Sequence, residues 1–391
     1  MADGVVFPEP VAQELDSLGQ ATGVETEADD SALAEDINNP FDPEKIDVVT
    51  RTLAVDYLLS RIRTQLMDLQ PDFQRRAGIW TNKAKSRLIE SLLLRIPIPT
   101  LYAVETEDGS WSIVDGVQRL AAIAEFVEPV VIGAQPLQLT DLEYLDKCEG
   151  MFFDDLPGRL QARLREAELV VHLLRRGTPE AVKFNIFSRL NTRGLRLSAQ
   201  ELRHALIPGK ARRYLKEWAE SSAFLDATGR SIRGDRMADR EMVLRFVAFR
   251  LTEPESYVSQ DFDEFLRDAM KALNRFSPAE VDRLEHDFTI AMVTARDTFG
   301  MHAFRKRNPG GGGGRFPVNK ALFEAVSVNL AALSEQQRQC LLERKDKIDE
   351  KFMGLMGDVD FQIAISQGTG DVAKVKRRFR RIQELFAEVI A

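Results

Sequence analysis

The sequence predicts an α+β fold: a small mixed sheet with helices, followed by an all-α C-terminal domain. Three observations predict it. Thr100–Glu105 and Trp111–Val114 are short apolar runs on either side of Asp108-Gly109, the pattern of a β-hairpin. Glu168–Leu174 is a third apolar run of strand length. Beyond about residue 207, apolar residues recur at spacings of three and four, and no strand-like run interrupts them.

The elements follow in order. Residues 1–44 hold twelve acidic side chains and no Lys or Arg, with few large apolar residues, so residues 1–45 read as an acidic disordered tail. The whole chain carries a net charge of −8, but the remainder has 49 acidic against 53 basic residues, a net +4. A mildly basic body suits nucleotides or nucleic acid, and the tail could compete for it; a solvated tail is the plainer reading. Leu53, Leu58, Ile62 and Leu66 predict a helix over 51–66. In the next segment Pro71 imposes an extended approach, with Phe73 as anchor, Gln74 and Arg75 directed into a site, and Trp80 packed over it. Lys83–Leu94 is a strong amphipathic pattern that Ile96-Pro-Ile-Pro99 terminates.

Further on, Val130–Leu139 predicts one or two short strands and Leu156–Arg165 a helix. A helix over Pro179–Leu190 runs into Asn191-Thr-Arg-Gly194, where Gly194 fits a left-handed helix end. Ser198-Ala-Gln-Glu201 is a capping box that opens a helix to Leu206. The domains are therefore 1–45, 46–206 and 207–391. In the last, helices are predicted over 209–220, 237–251, 261–274, 278–299, 318–333, 335–353 and 371–390. A Gly-rich loop at 308–314, flanked by Arg305, Lys306, Arg307 and Arg315, lacks the GK[ST] of a P-loop and reads as a linker. The C-terminal helix begins with Lys374, Lys376, Arg377, Arg378, Arg380 and Arg381. Cations there oppose the helix dipole, which points to nucleic acid, a phosphate or the acidic tail as partner; a solvated face fits as well.

Two distant cysteines and four scattered histidines support neither a disulfide framework nor a metal site. Without a secretory pattern or a membrane-length apolar run, a reducing cytoplasm is expected.

One stretch carries the chemistry. The run from Trp111 to Val114 stops at Asp115-Gly116, and Leu120, Ile123, Ala124 and Val127 then mark a helix. Asp115 is suited to cap that helix, and Gly116 allows a tight turn and a close ligand. Gln118 and Arg119 fall in the first turn, where free N–H groups favour an anion. A phosphate-binding turn and an ordinary capped turn both fit this pattern.

Pro71-Asp-Phe-Gln-Arg75, Trp80, Leu88-Ile-Glu-Ser91, Ile96-Pro-Ile-Pro99, Asp115-Gly-Val-Gln-Arg119, Phe187-Ser-Arg-Leu-Asn-Thr-Arg-Gly194 and Leu197-Ser-Ala-Gln-Glu-Leu202 occur in this order. Together they resemble the DGQQR-motif family, which forms the N-terminal part of GmrSD-type restriction enzymes and is similar to the ParB/sulfiredoxin fold. The resemblance implies binding of a nucleoside triphosphate, with Mg²⁺ where it is hydrolysed, in prokaryotic defence alongside DNA or a partner protein, with oligomerisation open. On it, Gly116 and Arg119 would hold phosphate, Gln74 and Arg75 would face it, and Asn191, Arg193 and Gly194 would close the site. Asp115 and Gln118 would be the catalytic pair, orienting water or metal. Val117 replaces the motif's first glutamine and can neither orient water nor donate to phosphate, which puts an NTPase activity in question. No His-Asn-His nuclease motif is found, so a nuclease is not expected.

Overall fold

The computed structural model describes residues 11–15, 19–27, 46–69, 80–190, 198–259, 261–308 and 315–391. The chain divides into two compact units, residues 39–197 and residues 1–38 with 198–391. A small sheet with helices is followed by a helical C-terminal region, the mixed class that the sequence predicts.

The strands in chain order are β1 (Gln13–Leu15), β2 (Ala21–Glu25), β3 (Val48–Ala54), β4 (Met67–Asp68), β5 (Leu101–Glu105), β6 (Trp111–Asp115) and β7 (Glu168–Leu174). The first unit is built on a five-stranded sheet of order β3-β7-β5-β6-β4. Its pairs are alternately antiparallel and parallel: β3 runs against β7, β7 beside β5, β5 against β6, and β6 beside β4. The hairpin β5–β6 turns at Asp108-Gly109, as its turn residues require. Leu169, Val171 and Leu173 of β7 point into the core with the two-residue period of a strand. They meet Ile89, Leu92 and Leu93 of the helix Asn82–Leu93 and Leu120, Ile123 and Ala124 of the helix Val117–Val127 in one apolar cluster. Burying each of the leucine, isoleucine and valine side chains contributes roughly 1.5–3 kcal/mol.

Three predicted elements differ. Residues 51–54, the predicted start of a helix, belong to strand β3 instead, and the helix runs from Val55 to Arg63. Pairing along the whole of β7 satisfies that backbone, and the β-branched Val48, Val49, Thr50 and Thr52 suit it. Val130–Leu139 is not strand: Pro129–Ile132 forms a 3₁₀ turn that stops at Gly133, with φ +63°. The predicted helix over 335–353 is two helices, Glu335–Glu343 and Lys345–Met356, broken at Arg344.

The other unit is helical, centred on Ala238–Leu251, which is buried on nearly every side. Phe246 of that helix packs edge-on to Phe288 of the helix Pro278–Phe299, and Trp218 stacks on the same ring. To this unit belongs the N-terminal segment, where the sequence predicts a solvated tail. Among its described residues, β1 and β2 form a hairpin with Thr22 and Val24 fully buried. Backbone hydrogen bonds hold β2 on both sides: Arg233 N donates to Thr22 O (2.9 Å), Val318 N to Gly23 O (2.9 Å) and Glu25 N to Val318 O (2.8 Å).

The physical reason is charge. Glu14 reaches Lys320 (2.6 Å), Glu25 reaches Lys306 (2.5 Å) and Glu27 reaches Arg245 (2.5 Å). Lys320 and Arg245 are buried among helices whose own carboxylates include Glu241 and Glu324, and buried cations need such partners. Both cysteines are free thiols, and among the described residues no helix is long and apolar enough to cross a membrane.

Candidate functional site

At the end of β6 the chain reverses through Gly116 and enters the helix Val117–Val127. Gly116 is buried with φ +92°, and a Cβ there would lie 2.2 Å from Leu101 Cδ2. Any other residue would be strained at this positive φ and would force the Leu101 side chain to move.

The cap of this helix is Gly116 rather than Asp115. Asp115 still belongs to β6, opposite Tyr102, and its carboxylate reaches forward instead of back onto the first turn. It accepts a charge-assisted bond from Arg119 Nη2 at 2.8 Å. The first turn therefore has neither a side-chain cap nor an acidic residue.

Arg119 is tied into the protein instead of standing free. Its Nη1 donates to the carbonyls of Pro99 and Thr100, the latter at 3.2 Å, and its side chain is only 12% exposed. The guanidinium thus straps the end of the Ile96-Pro-Ile-Pro99 segment to the end of β6. The side chain that the sequence places at a candidate phosphate turn therefore also makes three internal bonds. Asp115 itself is half-exposed. Gln118 is half-buried beside it, while Val117 turns into the apolar core, so its side chain is unavailable to a phosphate.

The structure thus brings together Asp115, Gly116, Gln118 and Arg119. Gln74, Arg75, Asn191, Arg193 and Gly194 lie outside the described residues.

Sequence reasoning missed Glu90 in the Leu88-Ile-Glu-Ser91 motif. Its buried carboxylate accepts from the backbone N–H groups of Glu143 (3.0 Å), Tyr144 (2.7 Å) and Leu145 (2.9 Å) and so fixes that loop. A carboxylate on the apolar side of an amphipathic helix was the available signal.

The basic C-terminal helix is not the open cationic stripe that its composition suggests. Arg378 is fully buried and paired with Glu324. Arg380 pairs with Glu255 (3.0 Å), Arg381 with Asp358 (2.7 Å) and Arg377 with Asp360 (3.5 Å). Lys374 Nζ donates to Gln367 O at 2.9 Å, and Lys376 is half-buried. Carboxylates on other elements of the unit thus pair with four of these six cations.

The Arg245–Lys320 cluster perturbs its acids in both directions. Burial raises the Glu241 and Glu27 carboxyls, but Lys320 and Arg245 outweigh it and hold both below the usual range. Burial wins at Glu14 and at Glu324, whose carboxyls are pushed up. Elsewhere, His172 bonds Thr50 Oγ1 through Nδ1 at 2.9 Å, a contact between neighbouring strands. A concavity of about 410 Å³ in the helical unit is lined by Leu251, Phe265 and Ala269 with Glu264 and Asp268, the wrong charge for phosphate.

No curated protein and no solved structure matches the chain. Residues 55–208 match the family model described as GmrSD restriction endonuclease, N-terminal domain.

Proposed function

We propose, from the match of residues 55–208 to the GmrSD restriction endonuclease N-terminal domain model, that the protein is a nucleoside-triphosphate-binding component of restriction-type defence against phage or other foreign DNA. In this reading it acts with DNA or with a partner protein. The observation that carries it is the uncapped first turn of the helix Val117–Val127 beside an arginine already oriented by a carboxylate. Free N–H groups at a helix start favour an anion. A guanidinium has five N–H donors, and the three bonds to Pro99, Thr100 and Asp115 leave two of them for a phosphate oxygen.

Asp115 then acts as a positioning residue for Arg119 rather than as a base. Positioning a water would fall to Gln118, because Val117 is committed to the core. We therefore place binding ahead of turnover: a nucleotide switch, with hydrolysis resting on one side chain. Phosphoryl transfer needs neutralised oxygens and an oriented water, and Mg²⁺ bound with the nucleotide would supply part of that charge.

Calorimetric titration with ATP, GTP, CTP and UTP in the presence of Mg²⁺ tests the reading. Arg119→Lys keeps the charge but loses the fork, and it should weaken binding of the preferred nucleotide about tenfold or more. Gln118→Ala should retain binding and lose any turnover. Wild-type protein that binds none of the four, or an Arg119→Lys variant with unchanged affinity, refutes the assignment.

A further inference from the structure

A second cationic feature lies in the helical unit, at residues that flank the Gly-rich segment in sequence; residues 309–314 of that segment lie outside the described residues. The short helix Ser222–Ala227 ends at Thr228, whose carbonyl accepts three donors. Arg305 Nη2 lies at 2.8 Å, Arg315 Nη2 at 3.0 Å and Ser231 Oγ at 2.8 Å. Arg305 also donates to Ser231 Oγ at 2.6 Å and to the carbonyl of Phe316. Every one of these acceptors is neutral.

Arg305 and Arg315 make no ion pair among the described residues, whereas the cations between them do: Lys306 with Glu25 and Arg307 with Asp349 (2.7 Å). Arg305 is 2% exposed, and its Nε has no hydrogen-bond partner. Arg315 is exposed and lies against Gly229, where a Cβ would come within 2.0 Å of its Nη2.

The charge does not balance locally. A helix C-terminus offers roughly half a negative charge, against two full positive ones here. Burial, and then repulsion from Arg315, push Arg305 down to about 10. Partial burial, then Arg307, Arg305 and Arg315, hold the exposed His302 below its ordinary value, with Asp349 opposing them. A buried cation without a carboxylate is costly unless an anion completes it.

We propose that Arg305 and Arg315 form an anion site that takes a phosphate group, with Arg315 as the solvent-side donor and Arg305 as the fixed charge behind it. The surplus of about one and a half charges calls for an anion and fits a singly or a doubly charged phosphate group alike. Guanidinium donors suit its oxygens, and the exposed side of Arg315 gives entry. The site rests on the helical unit alone and does not depend on the reading of residues 115–119. The phosphate comes either from a free small molecule or from a nucleic-acid backbone.

His302 is the reporter, since an anion placed between these guanidiniums raises its pKa. The histidine ring signals of the full-length protein are titrated with pH, with His302 assigned through a His302→Gln variant. The titration is repeated with millimolar pyrophosphate and with a short DNA oligonucleotide lacking a terminal phosphate. An upward shift with pyrophosphate assigns a free phosphate, and a shift with the oligonucleotide alone assigns a backbone phosphate. Arg315→Ala, which leaves the internal bonds of Arg305 in place, should weaken binding about tenfold or more and abolish the shift, with its melting temperature retained. No shift with either ligand, or an equal shift and affinity in Arg315→Ala, overturns the proposal.

Discussion

Gly23→Ala tests whether the N-terminal hairpin is part of the helical unit. Gly23 has φ +82°, where alanine is strained by about 1–2 kcal/mol. The larger effect is steric: the added Cβ would sit 1.9 Å from the backbone oxygen of Ser231. Backbone cannot rotate away as a long side chain can, so β2 must move. Moving it breaks some of the bonds to Arg233 and Val318, each worth about 1 kcal/mol. It also draws Glu25 and Glu27 from Lys306 and Arg245, which stay buried or nearly so. Arg245 keeps Glu241 and Glu324, so only part of the roughly 3–5 kcal/mol for breaking a buried pair applies. The sum is a loss of about 3 kcal/mol or more. Hydrogen exchange should show early opening at the amides of Glu25 and Val318, and urea unfolding of the helical unit should move to lower concentration. A variant within about 0.5 kcal/mol of wild type, with those amides still protected, would refute the argument.

Two further outcomes follow from the same contacts. Gly116→Ala meets both a positive φ and Leu101 Cδ2 at 2.2 Å; Leu101 is a core side chain, so a loss of about 2 kcal/mol is expected in chemical denaturation of the sheet unit. Glu27 and Glu241 have depressed carboxyls, so they stabilise the fold above the unfolded carboxylate pKa of about 4.3, and that contribution fades as pH falls through their folded values. Glu14 and Glu324, with raised carboxyls, act with the opposite sign near and above that pKa and soften the profile. Urea midpoints from pH 7 to pH 3 should therefore fall most steeply below about pH 4, and Glu27→Gln should flatten that fall.

Much of the sheet unit was legible because its signals are local. The Asp108-Gly109 hairpin, the alternation in β7 and the amphipathic face of Asn82–Leu93 each need only neighbouring residues to be read. The strand β3 was not, because the partner that selects it lies more than a hundred residues away, while Leu53, Leu58 and Ile62 also fit a helical period. The same limit applies to charge. Composition exposes the basic run in the last helix, but Glu324, Asp358 and Glu255, which neutralise it, are visible only in the fold. At the candidate site the turn itself was legible from Asp115-Gly116. Which group the Asp115 carboxylate would serve was not, since the same oxygen can accept from a first-turn N–H two or three residues on or from the guanidinium four residues on.

Charge segregation along the chain takes on a different meaning in the folded protein. The sequence places acid at the N-terminus and a positive surplus in the rest, a distribution that suggests a free tail and a basic surface awaiting a polyanion. The fold cancels much of that surplus internally, with Glu14, Glu25 and Glu27 spent on Lys320, Lys306 and Arg245. Net charge is therefore a poor guide to where this protein would bind phosphate. Local imbalance is the better one: cations whose acceptors are all neutral, as at Arg305 and Arg315, or an arginine with donors to spare beside an uncapped helix start, as at Arg119. The two positions make separable demands. Loss of nucleotide binding on substituting Arg119 would leave the His302 titration unmoved, and substituting Arg315 would do the reverse.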